Sequence, residues 1–146
     1  MGITQASDYL ENRIIDHLLR STAFPKLAAV YVGLLTAAPT DSGGGTEVVG
    51  GSYARVAVPS ADASWRATQG GNSGPSVGDT GITSNAITIV FPAPTANWGD
   101  IRWFGLFDAA TGGNLLIWDV LTVTRIVNIG DPAPAFPIDA LVIRVD

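Results

Sequence analysis

Cysteine is absent from this 146-residue sequence, and charged side chains are scarce. Without a thiol, the chain can form no disulfide, thiolate metal site or cysteine nucleophile. Charged residues make up 14% of the sequence, against about 25% in an average domain. The net charge is −5, and no basic run occurs. These properties argue against a nucleic-acid partner.

Long hydrophobic runs are also missing. The longest uncharged apolar run, residues 27–40, is too short for a transmembrane helix and contains Pro39. The first residues show no basic region followed by an apolar core, so no signal peptide is expected. We therefore expect neither a membrane nor nucleic acid among the partners.

One helix is predicted, over residues 4–20. Its apolar side chains recur at helical spacing: Leu10, Ile14, Ile15, Leu18 and Leu19. Thr4, Ser7 and Asp8 are candidate N-caps, and Asp8 with Glu11 three residues later resembles a capping box. Glu11 falls within the apolar arc.

The rest of the chain favours strands, because Val, Ile and Thr alternate with polar residues between turn signals. Predicted strands cover residues 28–37, 53–58, 86–91, 100–107, 114–121, 122–129 and 136–145. Residues 60–85 are rich in Ser, Gly, Asn and Asp and are expected to form a long loop excursion, mobile or ordered by a partner, with one weak strand at most.

The predicted fold is therefore mainly β, as a single domain over residues 1–146. We expect an antiparallel β-sandwich or flattened barrel of about seven strands with one N-terminal amphipathic helix. Asp108–Gly113 is predicted to be a tight hairpin loop in which Gly112 or Gly113 has a positive φ.

No catalytic, cofactor-binding or metal site is predicted. His17 is the one histidine and lies at the edge of the helix's apolar face. The turn aspartates Asp41, Asp79, Asp108 and Asp131 leave a carboxylate-based site as an open alternative, but turns favour Asp at such positions. We expect a non-enzymatic protein that needs no cofactor.

Contact with other proteins is the function that the composition favours. An apolar chain with few charges indicates that part of its surface meets other subunits. An amphipathic helix ahead of the sheet is a natural docking element. We predict a homo-oligomer, with a trimer favoured, and five partner-contact residues: Leu10, Ile14, Leu18, Trp65 and Trp98.

Tryptophan gives a further alternative, because indole rings can form a sugar-binding platform. Trp65 and Trp98 lie in predicted loops, whereas Trp103 and Trp118 lie in strands that flank the predicted hairpin. Packing in the core or across strands is the expectation for Trp103 and Trp118.

Short motifs that span most of the chain carry a resemblance to a known family. They cover residues 6–12, 15–17, 30–34, 39–41, 45–48, 50–55, 98–99 and 104–116. They resemble those of small bacteriophage virion structural proteins, often labelled phage tail fibre proteins. The resemblance implies a non-enzymatic virion component that contacts capsid or tail subunits and is assembled in the host bacterial cytoplasm.

Size adds one expectation to this resemblance. A fibre shaft needs heptads or repeated β-units, and the sequence has neither. We therefore expect a small surface subunit that decorates or cements the capsid. The first alternative is a tail fibre or tail/collar adaptor subunit, and the second is a carbohydrate-binding or carbohydrate-active module.

Overall fold

The computed structural model describes residues 4–145, so residues 1–3 and 146 of the predicted domain lie outside it. One helix and ten strands occur in this range. They are β1 (Gln5–Ala6), α1 (Asp8–Leu19), β2 (Ala29–Ala37), β3 (Thr46–Glu47), β4 (Val56–Pro59), β5 (Ile82–Ser84), β6 (Ile89–Val90), β7 (Gly99–Phe107), β8 (Leu115–Val127), β9 (Ala135–Phe136) and β10 (Val142–Arg144).

The largest sheet has the strand order β1-β8-β7-β2-β3, and β4 also pairs with β2. Two smaller sheets, β5 with β10 and β6 with β9, complete the fold. All the pairings are antiparallel, and the large sheet does not close into a barrel. The predicted mainly β class with one N-terminal helix is confirmed, and the architecture is consistent with the sandwich alternative.

One face of the large sheet packs against the smaller sheets and their loops. The buried core contains residues from both layers: Val32, Leu34, Val48, Val58, Ile89, Phe91, Trp98, Ile101, Phe104, Leu106, Val127, Leu141 and Ile143. Phe136 contacts Phe91 and Phe104 edge to face, with ring centroids 6.2 and 6.3 Å apart. Aromatic side chains therefore join the two layers.

Side-chain alternation is broken at one point in β7. In a strictly alternating strand, Ile101 would lie on the other face of the sheet from Phe104 and Leu106. All three side chains are nevertheless in the core. The pairing with β8 is irregular at the same place: Ile101 pairs with Arg125 and Trp103 pairs with Val120, so Arg102 alone lies opposite residues 121–124 of β8. Regular alternation is expected only where the ladder is uninterrupted.

Several predicted strand boundaries also change. The strands predicted over 114–121 and 122–129 form the single strand β8, because no Gly or Pro interrupts them. The final predicted strand is split into β9 and β10, because Asp139 adopts a φ of 63° in the intervening turn. In the excursion over 60–85, β5 is the one strand within the described residues.

The helix predicted over residues 4–20 is shorter in the structure, Asp8–Leu19, and Gln5–Ala6 form β1 instead. Ser7 is the N-cap: its Oγ accepts a hydrogen bond from Leu10 N–H at 3.2 Å and donates one to the Leu115 carbonyl. The predicted pairing of Asp8 with Glu11 is therefore wrong, because Ser7 occupies the capping position. No helix within residues 4–145 is long and apolar enough to cross a membrane.

The hairpin between β7 and β8 agrees with the prediction and can be tested. Gly112 and Gly113 have φ values of 59° and 68°. A Cβ at Gly113 would lie 2.5 Å from Asp108 Oδ1 and 2.6 Å from Ala109 Cβ. Replacing both glycines with Val should destabilise the fold by about 2 kcal/mol or more, and lower the melting temperature by at least about 4 °C.

Circular dichroism melting would measure this change. Thr111→Val is the matched control, because it adds a Val to the same exposed loop without requiring a positive φ. Equal melting temperatures for the double variant and the control would contradict the prediction.

Candidate interaction surface

The helix α1 presents its apolar side to solvent. Exposure rises along the helix, from 42% at Ile14 and 48% at Ile15 to 71% at Leu18 and 81% at Leu19. We call these four side chains the α1 apolar face. Leu10 is half-buried, and no residue of α1 is fully buried.

The predicted contact residues Leu10, Ile14 and Leu18 lie outside the hydrophobic core. None of them is fully buried in this chain, because the core is completed by strands and their loops. Contact with another subunit remains a prediction for these residues.

The start of α1 is nevertheless fixed to the domain. Ser7 N–H donates to the Leu116 carbonyl at 2.9 Å, and Asp8 N–H donates to the Asp41 carbonyl at 2.8 Å. At the other end, His17 Nδ1 accepts a hydrogen bond from Phe24 N–H at 3.1 Å. His17 thus helps to hold the chain that leaves the helix, and the apolar face is held in a defined position.

The structure separates the two loop tryptophans. Trp98 is only 5% exposed, and its Nε1–H donates to the Gly51 carbonyl at 2.9 Å. Its ring packs edge to face on Tyr53. The prediction that Trp98 contacts a partner is wrong for this fold, because the loop before β7 returns the ring to the core. Trp65 is half-buried and lines a surface cavity.

Two charged side chains, Glu47 and Arg55, lie near Gly33 on the face of the large sheet away from the core. Arg55 and Glu47 form a bidentate ion pair, with Nε–Oε1 at 2.8 Å and Nη2–Oε2 at 2.7 Å. The Arg55 side chain is 8% exposed, and its guanidinium carbon lies 3.5 Å from the centroid of the Phe107 ring. We call Glu47, Tyr53 and Arg55 the Arg55 cluster.

Arg55 also connects distant loops. Its Nη1 donates to the carbonyls of Ala109 and Gly112, at 2.7 and 2.8 Å. These carbonyls belong to the hairpin after β7, whereas Glu47 belongs to β3. One guanidinium therefore joins the glycine-rich loops on this side of the sheet through charge-assisted hydrogen bonds.

Tyr53 completes the cluster from inside the domain. Its hydroxyl donates to Glu47 Oε1 and accepts from Leu34 N–H, both at 2.8 Å. Burial, together with the Glu47 carboxylate, raises the pKa of Tyr53 well above its ordinary value. The hydroxyl therefore stays protonated and keeps its role as donor.

Gly33 makes room for this contact. A Cβ at Gly33 would lie 2.9 Å from Glu47 Oε1 and 2.9 Å from Phe107 Cε2. Its partner across the sheet is another glycine, Gly105. Two paired glycines leave the sheet surface bare where the Phe107 ring and the Glu47 carboxylate must lie.

A cavity of about 430 Å³ opens over the Arg55 cluster. Its walls come from the start of α1, the loop at residues 41–45 and the hairpin at 112–114. Five of the motifs that carry the family resemblance meet around it: residues 6–12, 39–41, 45–48, 50–55 and 104–116. Within residues 4–145, no three acidic or histidine side chains are grouped so as to hold a metal ion.

Sequence reasoning missed the Arg55 cluster. The available signal was the rarity of charge, since Glu47 is one of two glutamates and lies near Arg55 in a glycine-rich segment. The carbonyl partners of Arg55 lie more than fifty positions away. No local pattern indicates that contact.

The stability role of the cluster gives a second prediction. Arg55→Met should destabilise the fold by about 2–4 kcal/mol, because it leaves the partly buried Glu47 carboxylate and two carbonyls without their donor. Arg102→Met is the control, since Arg102 is an exposed arginine paired with Asp100, and an exposed pair contributes about 0–1 kcal/mol. Urea unfolding would measure both, and equal losses would contradict the proposed role of Arg55.

Comparison with known proteins identifies the family of the chain. No curated protein is significantly similar to the chain in sequence. A family model described as podophage GP4 fiber I protein gp80 matches residues 5–144. This span includes α1, all the core strands and the Arg55 cluster. The chain therefore belongs to the podophage GP4 fiber I protein gp80 family, whose members are structural proteins of the phage virion.

Proposed function

We propose that this protein is a small, non-enzymatic subunit of the virion that attaches to other virion proteins through the α1 apolar face. The exposure of that face is the observation that carries the proposal. An isolated helix shorter than about 12–15 residues is marginally stable, and α1 has 12 residues with none buried. Burial against a partner would stabilise the helix, at about 1.5–3 kcal/mol for each large apolar side chain fully covered.

Two positions in the virion suit such a subunit. The family description favours a fibre subunit attached to the tail, and this is the position we propose first. Capsid decoration or cementing is the second candidate. It is favoured by residues 4–145, in which three antiparallel sheets and a single 12-residue helix supply no repeated units for an elongated shaft.

Self-association is part of the same proposal. The exposed apolar residues are not confined to α1: Val123 and Ile126 of β8 are 77% and 64% exposed. In a chain with so few charges, such surfaces favour closed symmetric assembly. We propose a homotrimer whose ring closes through the exposed apolar residues of β8, so that the α1 apolar face stays free for the attachment partner.

A carbohydrate-active enzyme fits the structure less well. The cavity beside Trp65 is lined by one carboxylate, Asp62. Asp139, which lies nearby in contact with Arg66, is held in an ion pair. Glycoside hydrolysis needs a pair of carboxylates on either side of the bond, so this site supports the non-enzymatic proposal.

Native mass spectrometry should detect a trimer of the purified protein at micromolar concentration. Val123→Asp should shift the population to monomer, because it places a charge in the proposed trimer contact. The melting temperature of the isolated monomer should change little, since Val123 is 77% exposed. Thr124→Asp, on an exposed polar position of the same strand, is the control. A wild-type monomer, or a Val123→Asp trimer, would contradict the trimer proposal.

The location in the virion is tested by separating heads from tails. Quantitative mass spectrometry should find the protein with the tail fraction, and Ile14→Asp should abolish its incorporation while the free protein stays folded. Recovery with the head fraction would instead support the decoration candidate. Normal incorporation of Ile14→Asp would exclude the α1 apolar face as the attachment surface.

A further inference from the structure

A second surface feature lies outside α1 and the Arg55 cluster, along strand β8. Two neighbouring cavities, of about 340 and 120 Å³, share four lining residues: Leu121, Val123, Ala135 and Phe136. We call the groove that the two cavities form together the β8 trough. Asp119 lines only the larger cavity, and Arg125 lines only the smaller one. The trough therefore has an acid towards one end and a base towards the other.

Asp119 is a buried acid without a cation. The residue is 6% exposed, and its Oδ1 accepts a hydrogen bond at 2.7 Å from the N–H of Val120, the next residue in the chain. It pairs directly with Phe104 of β7, so its side chain shares the core face of the sheet with that ring. Taking a carboxylate out of water is costly unless a cation compensates it.

No cation within residues 4–145 compensates this carboxylate. Asp119 is the one charged residue that lines the larger cavity, and it forms no ion pair in this range. Asp139, in the turn beside the cavity, is itself an acid and is paired with Arg66. Arg144 of β10 forms no ion pair with Asp119. A cation for Asp119 is therefore expected from another chain.

Arg125 is the complementary group on the same strand. It is exposed, and it forms no ion pair within residues 4–145. The nearby Asp100 of β7 is already paired with Arg102. Asp119 and Arg125 are six residues apart on one strand, so about 20 Å separates them. They are too far apart to pair with each other in one chain.

The strand between the two charges is apolar and open along one side. Val123 and Ile126 are 77% and 64% exposed. Among the described residues, β1 pairs with β8 only at Ile117 and Trp118, so the outer edge of β8 beyond Trp118 has no partner strand. An unpaired strand edge that carries exposed apolar side chains is a surface that a second chain can approach closely.

We propose that the β8 trough binds a second copy of this chain, with Arg125 of one copy in an ion pair with Asp119 of the next. This inference rests on the self-association proposed above and names the contact that forms it. Each copy supplies one guanidinium and accepts another, so a closed ring leaves neither group unpaired. The aliphatic part of the arginine lies along the apolar wall, and its guanidinium donates to the carboxylate.

A second copy complements the trough better than an unrelated cation does. A free alkylammonium ion would compensate Asp119, but it would leave Arg125 without an anion and Val123 exposed. A second copy supplies a cation for Asp119, an anion for Arg125 and an apolar surface for the strand between them. Opposite charges at the two ends also fix the direction in which the copies meet.

The test is a double-mutant cycle on the assembly of the full chain. Arg125→Gln and Asp119→Asn, alone and together, are compared by native mass spectrometry over a dilution series. Each single change should raise the subunit dissociation constant by about tenfold or more, because it leaves the other group unpaired in the interface. The double variant should be no weaker than the weaker single variant, since both changes remove the same contact.

Two further variants separate this contact from an effect on the fold. Arg125→Lys keeps the cation and should recover most of the affinity lost in Arg125→Gln, whose monomer should melt as the wild type does because Arg125 is exposed. Arg20→Gln is the control. It removes an exposed arginine that follows α1 and pairs with Asp16, and it should leave the dissociation constant unchanged.

Additive losses in the cycle, or an Arg125→Gln assembly as tight as the wild type, would overturn the proposal. A wild-type monomer would overturn it too, and would assign Asp119 to a basic segment of another virion protein. Non-additive losses in a dimer would support this contact and contradict the trimer. Additive losses in a trimer would contradict this contact alone, so the two proposals fail separately.

Discussion

The ion pair between Arg55 and Glu47 is the contact on which one side of the large sheet depends. The loops that it joins are rich in glycine and have few side chains with which to pack. A buried guanidinium replaces that packing, because one planar group can reach a carboxylate, two distant carbonyls and an aromatic face together. Gly33 and Gly105 follow from the same constraint, since side chains at these positions would collide with the groups around Phe107.

Because the strands and their loops complete the core, α1 is not needed to cover it. The helix is fixed at its start by backbone hydrogen bonds to β8 and the loop at residue 41, and the exposure of its apolar residues increases from Ile14 to Leu19. This arrangement separates folding from attachment. A charge at Leu18 should disturb attachment and leave the fold intact, whereas loss of Arg55 should disturb the fold itself.

The sequence predicted those features that depend on neighbouring residues. Periodicity was sufficient for α1 and the mainly β class, and the Gly112-Gly113 pair was sufficient for the hairpin. Prediction from the sequence failed where a tertiary contact decides which side chains are buried. The pairing of β7 with β8 is irregular at Arg102, where Ile101 departs from strict alternation, and the buried Trp98 ring bonds to the Gly51 carbonyl. Exposure of Ile14 could not be predicted either, because an amphipathic pattern does not say whether the apolar face meets the same chain or another.

The excursion over residues 60–85 is ordered mainly by polar contacts rather than by burial. It contributes little to the core, and it is held by polar contacts: the buried amide of Asn85 and the pairing of Arg66 with Asp139. Such contacts are directional, so they fix side chains at the surface as well as the backbone. Polar contacts therefore order residues 60–85 where the segment has few apolar side chains with which to pack.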